Sequence, residues 1–152
     1  MKGVNDHELH DFVNFSAEQD IEVRFLEVMK IGQACSQDDL FISAGEAIHE
    51  LESKLRLQPV RVEKDSTSFN YETENGAQVG FIASESLPFC GNCSRWRLTA
   101  DGYLRACLMS TDGIKIRGVR PDEYDSILQQ LLPMKPKGRI HHIEQDMNQI
   151  GG

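Results

Sequence analysis

The chain has 152 residues, 39% apolar and 26% charged, with a formal charge of −8. This is enough chain for a domain with a real core, and no apolar run approaches the roughly eighteen residues of a membrane span. The acidic balance argues against bulk nucleic-acid binding, and the N-terminal stretch MKGVNDHELHDF has no apolar signal core, so a cytoplasmic protein without nucleic-acid or membrane partners is expected.

The first segment predicts a helix capped by Asn5 or Asp6, with Leu9, Phe12 and Val13 on one face. A strand is expected from Ile21 to Met29, where Ile21, Val23 and Phe25 alternate with Glu22 and Arg24. Ser43-Ala44-Gly45-Glu46 reads as a capping box, opening a helix that runs to about Leu55 with Ala47, Ile48, Leu51 and Leu55 buried. Helix, strand, helix at these lengths suits part of an α/β barrel or doubly wound sheet, but two helices and one strand cannot close such a sheet. After Pro59 the pattern changes. Val60–Val62, Phe69–Thr73 and Val79–Ala83 read as strands, the last two joined through Asn75-Gly76. A second hairpin is expected from Arg97–Thr99 and Tyr103–Leu108 around Asp101-Gly102. Asp122–Leu132 predicts a helix, and beyond Pro133 the chain is rich in Lys, Pro and Gly up to a mobile Gly151-Gly152 end.

Charge is unevenly spread. Residues 1–89 carry 7 basic and 17 acidic side chains, and residues 90–152 carry 9 and 7, giving −10 and +2. Positive potential therefore collects beside Cys90, Cys93 and Cys107, where a small anion could dock. Cys90-Gly-Asn-Cys93 places two thiols on one turn, and Cys107 returns on the second strand of the Asp101-Gly102 hairpin. This spacing is compatible with zinc, with an iron–sulfur cluster, or with a redox pair or buried thiols. A closed zinc site would need a fourth ligand, for which His141 or His142 is a candidate; Cys35 reads as an ordinary buried thiol. Three cysteines on a four-iron cluster would leave one iron open to a ligand. Arg95 and Arg97, two apart on a strand, would point to the same side and suit phosphate or carboxylate oxygens, unless they are solvated surface charges or counter-charges to the cluster.

The run from Phe89 to Leu108, FCGNCSRWRLTADGYLRACL, closely resembles the C-terminal cluster motif of the GTP 3′,8-cyclase family of molybdenum-cofactor biosynthesis. Gly3-Val4-Asn5 with Glu8, the strand Val23–Met29 and the terminus Met147–Gly152 resemble further family motifs. The resemblance spans essentially the whole chain. It implies an α/β fold: a partial, half radical-SAM TIM-like barrel remnant at residues 1–58, then a small α+β iron–sulfur domain with a Gly-Gly tail at residues 59–152. It also implies that Cys90, Cys93 and Cys107 ligate a [4Fe-4S] cluster whose open iron takes GTP, with Arg95, Arg97 and Arg24 on the substrate. Met29 would lie near S-adenosylmethionine, and Gly151 and Gly152 would insert into the active site and assist the chemistry. Arg24 has a plainer reading as the ion-pair partner of Glu22 or Glu27, and the Gly-Gly end as a disordered or ubiquitin-like conjugating tail. The family's radical chemistry starts at a second cluster on C-x-x-x-C-x-x-C, which this chain lacks. The resemblance therefore implies a lyase fragment inactive alone, needing an N-terminal radical-SAM half or a full-length homologue as partner. A homodimer is a further expectation, because an unpaired half barrel exposes strand edges. The competing expectation is a non-catalytic zinc- or cluster-binding module.

Overall fold

The structure is a computed structural model that describes residues 1–36 and 38–146. It divides into two compact units: Met1–Met29 with Gln37–Cys93, and Lys30–Ser36 with the chain from Ser94 onward. This division does not follow the expected boundary at residues 58 and 59.

In the first unit a 3-10 turn, Asp6–Glu8, leads into helix α1, Leu9–Gln19. Leu9, Val13 and Ser16 are its buried stripe, one position away from the expected set: Phe12 is half exposed and lies edge-on to Phe25. Neither Asn5 nor Asp6 caps α1; the Asp6 carboxylate accepts the Gly3 N–H at 2.8 Å instead. The helix ends at Asp20, which takes a left-handed conformation that a short polar residue tolerates. Buried Ser16 then stitches the helix to the sheet. Its hydroxyl donates to the Ile21 carbonyl at 2.6 Å and accepts the Gln78 N–H at 3.0 Å.

Strand β1, Glu22–Leu26, is shorter than the expected Ile21–Met29 but keeps the alternation, with Val23 and Phe25 turned inward. Helix α2, Ala44–Glu52, opens on the Ser43–Glu46 capping box, both halves of which are present. It stops three residues before Leu55, and Leu55 still packs against the core. Strand β2, Leu57–Val60, sits earlier than expected and carries Pro59 on a sheet edge, where a missing N–H is tolerated. Strands β3, Phe69–Thr73, and β4, Gln78–Ile82, follow the alternation closely.

The sheet order is β1-β4-β3-β2, with β1 and β4 parallel and the other pairs antiparallel. Because β1 pairs with β4, the segment expected as a barrel remnant shares one sheet and one core with the segment expected as a separate domain. Leu51, Val79 and Phe81 are fully enclosed there, and the Phe81 ring meets Phe25, Phe69 and Tyr71 at 5.5, 5.8 and 5.9 Å. A mixed sheet backed by two helices is an α/β arrangement; a half barrel is not what these strands form by themselves.

In the second unit β5, Arg97–Leu98, β6, Tyr103–Arg105, and β7, Ile114–Lys115, form a small antiparallel sheet in that order. The third strand was not expected. The Asp101-Gly102 hairpin is present, but its second strand ends at Arg105, so Cys107 lies beyond the ladder. Helix α3, Tyr124–Leu131, follows a 3-10 turn at Pro121–Glu123, and buries Ile127 and Leu131 while Leu132 stays exposed. Ile31 bridges to Ile143, tying the 30–36 segment to this unit.

The two hairpins use one local device. In Thr73-Glu-Asn-Gly-Ala77 the threonine hydroxyl accepts the Ala77 N–H at 2.9 Å, and in Thr99-Ala-Asp-Gly-Tyr103 it accepts the Tyr103 N–H at 2.9 Å. In each, the glycine N–H donates to the threonine carbonyl at 3.0 Å. Gly76 and Gly102 then adopt φ of +85° and +89°, which a side chain would strain. Among the described residues no helix is long and apolar enough to cross a membrane.

Candidate metal centre and its arginines

Cys90-Gly91-Asn92 forms a single 3-10 turn, and the Cys93 N–H closes it on the Cys90 carbonyl at 3.3 Å. The structure thus brings Cys90 and Cys93 together on one half-buried turn at the end of the first unit. Cys107 belongs to the second unit. Its sulfur accepts the Met109 N–H at 3.4 Å, and its carbonyl accepts the Ser110 N–H at 3.3 Å. All four cysteines are thiols. Among the described residues no three His, Cys, Asp or Glu side chains converge as a metal site. Cys35 lies in a 3-10 turn, Gly32–Ser36, where its thiol donates to the Ile143 carbonyl at 3.6 Å, and His141 and His142 are exposed. The donor chemistry, three thiols with two on one turn, suits a thiophilic metal or an iron–sulfur cluster.

The arginines separate. Arg95 precedes β5 in irregular backbone, so the expected common side of a strand does not relate it to Arg97. Its carbonyl accepts Lys135 Nζ at 2.6 Å, and the same ammonium reaches the Ala106 carbonyl at 2.8 Å, one residue before Cys107. Arg97 instead stands directly across from Arg105 in the β5–β6 register, so their side chains share a face. Arg105 is 8% exposed and donates through Nη1 to the Ser110 carbonyl and to Gln145 Oε1, both at 3.2 Å. Neither Arg105 nor Lys135 was singled out in the sequence. A two-residue Asp101-Gly102 turn would pair Arg97 with Ala106; the observed three-residue loop, Ala100-Asp101-Gly102, shifts the register by one and sets Arg97 against Arg105.

Arg24 lies on the sheet face opposite Val23 and Phe25, half exposed, with Nε bonded to the Glu22 carboxylate. Its plainer sequence reading is thus realised toward Glu22. Its stem crosses Gly80, where an added Cβ would lie 3.1 Å from Arg24 Cγ. Met29 is half buried three residues beyond β1. Gly151 and Gly152, with Met147–Ile150, lie outside the described residues.

Glu27 was seen in the sequence only as a possible partner of Arg24, and its role is different. It is 6% exposed and gathers the Ala44 N–H at 2.8 Å, the Glu85 N–H at 2.7 Å, the Ser86 N–H at 2.9 Å and the Ser86 hydroxyl. Burial pushes its carboxyl up, but the Ser86 hydroxyl and the Ala44, Ser86 and Glu85 amides outweigh burial and hold it below the usual glutamate range. It pins β1 to the start of α2 and to the 84–86 turn, four residues ahead of Cys90.

Comparison with known proteins adds a family to this geometry. The family model described as Molybdenum Cofactor Synthesis C matches residues 21–142. The GTP 3′,8-cyclase of Synechocystis sp. is 47% identical over 153 residues, covering 100% of this chain and 47% of that protein. The GTP 3′,8-cyclase of Thermodesulfovibrio yellowstonii is 35% identical across 100% of this chain and 50% of its own length, and that of Alkaliphilus oremlandii is 37% identical across 99% and 49%. The chain spans about half the length of the curated relatives it matches. With its paired thiols and basic hairpin, the chain belongs to the Molybdenum Cofactor Synthesis C family.

Proposed function

We propose that this chain is the substrate-binding half of a GTP 3′,8-cyclase, acting in molybdenum-cofactor biosynthesis in the cytoplasm. The single observation that carries this reading is end-to-end similarity to half of several proteins named GTP 3′,8-cyclase. In this reading residues 1–58 are the remnant of a half barrel completed by an N-terminal radical-SAM half. Cys90, Cys93 and Cys107 hold a [4Fe-4S] cluster, and the N–H on the Cys107 sulfur belongs to the hydrogen bonding that tunes such clusters. Bound, the cluster would supply an open iron as a Lewis-acidic anchor for the nucleotide. Arg95 and Arg97 hold phosphate oxygens through guanidinium forks. Arg24 contributes to the substrate and Met29 to S-adenosylmethionine, while Gly151-Gly152 reaches the reacting nucleotide, glycine permitting close backbone approach. Lys135 ties the two ends of the hairpin together through the Arg95 and Ala106 carbonyls.

The test is metal and sulfide content per chain after strictly anaerobic purification, followed by GTP titration. About four iron and four sulfide without zinc, with GTP affinity lost in Arg95→Ala/Arg97→Ala while the cluster stays, is the expected result. About one zinc and no sulfide would replace this reading with a non-catalytic metal-binding module.

A further inference from the structure

Arg97 and Arg105 are directly opposed across an antiparallel ladder. Like charges in that position repel, and nothing in the hairpin requires arginine at both. Each also has a buried Nε–H without a hydrogen-bond partner among the described residues. An orphaned N–H on a buried cation is costly, and here two occur on residues paired across one ladder. Arg105 cannot swing away to solvate its own. Its head is tied to Ser110 and Gln145, and its stem lies against Gly113, where a Cβ would come within 2.8 Å of Arg105 Cγ. The nearby carboxylate of Asp101 is engaged by the Thr99 hydroxyl.

We infer that Arg97 and Arg105 form a cross-strand oxyanion site that binds a phosphate group between their Nε–H donors. One anion would satisfy both orphans and cancel their repulsion; a water or a carbonyl could accept both N–H groups but carries no charge to offset the two cations. The site makes Arg105 a substrate-binding residue and gives Arg97 a partner other than Arg95. It rests on the cyclase reading only for the anion being the phosphate of a nucleotide; the opposed guanidinium groups call for an oxyanion in any case. Arg105 is held from three sides before the ligand arrives, so little side-chain entropy is lost on binding there.

The test uses the full chain, labelled with 15N, and inorganic pyrophosphate as the probe. Two arginine Nε–H resonances, assigned through Arg97→Lys and Arg105→Lys, should move together as pyrophosphate is added. Each lysine variant keeps the charge but loses the Nε–H fork, and should bind pyrophosphate about tenfold more weakly, as expected for one charge-assisted hydrogen bond. The double variant should lose less than the product of the two. If the Nε–H resonances of the wild-type chain do not respond, or if a folded Arg105→Lys binds as wild type does, the site is refuted. The iron and sulfide assay separates the two readings. A chain that binds zinc yet shows the paired arginine response overturns the cyclase reading and keeps this site. A chain that loads iron and sulfide but lacks the response does the reverse.

Discussion

Replacing Glu27 by Gln changes one atom's chemistry at a buried carboxylate that accepts four hydrogen bonds. One carboxylate oxygen accepts the Ala44 N–H and the Ser86 hydroxyl, and the other accepts the Glu85 and Ser86 N–H groups. A glutamine keeps one acceptor oxygen and turns an NH2 toward the other set. The best arrangement keeps the Glu85 and Ser86 bonds, lets the Ser86 hydroxyl rotate, and orphans the Ala44 N–H. One buried orphan costs about 1–3 kcal/mol, and two bonds reduced from charged to neutral lose about 1 kcal/mol each, so the variant should be about 3–5 kcal/mol less stable. Against a total of about 5–15 kcal/mol this is a large fraction. The measurement is urea unfolding followed by far-ultraviolet circular dichroism at pH 7 and at successively lower pH. Hydrogen bonding holds the folded carboxyl below its ordinary value, so its contribution is complete above about pH 4.3 and disappears as pH falls through the folded pKa. The gap between wild type and Glu27→Gln should therefore close toward acid. A gap under about 0.5 kcal/mol at neutral pH, or one that persists unchanged in acid, would refute the reasoning.

Other outcomes follow from the same structure. Ser43→Ala removes one half of the α2 capping box and should cost about 1 kcal/mol, read as a lower thermal midpoint. Gly102→Ala places a Cβ at φ +89° and 2.7 Å from Arg117 Cβ, and should cost more than about 1 kcal/mol; Gly138→Ala, with no heavy atom within 4 Å, should be near neutral by the same melting assay. Cys107→Ser should lower bound metal after anaerobic purification, whereas Cys35→Ser should leave it unchanged; equal losses would remove the distinction drawn between these thiols.

The expected elements divide by the range of the interactions that make them. The Ser43–Glu46 box and the two Thr-x-Asn/Asp-Gly hairpins were legible because each is closed by atoms within five residues. The Cys90–Cys93 turn was legible for the same reason, and the resemblance placed the family without any coordinates. What strand alternation could not state was the partner of each strand. Whether β1 closes a barrel or runs parallel to β4 depends on which distant edge covers Val23 and Phe25, and the choice of Val79 and Phe81 joined two expected domains into one core. The same applies at the hairpin. The sequence by itself determined that a hairpin turns at Asp101-Gly102, but not its register: a two-residue turn pairs Arg97 with Ala106, and the three-residue loop that forms pairs it with Arg105. Only the tertiary structure decided that Arg105 is buried and tied to Ser110 and Gln145, because desolvation is a property of everything packed around a side chain and not of its neighbours in the chain.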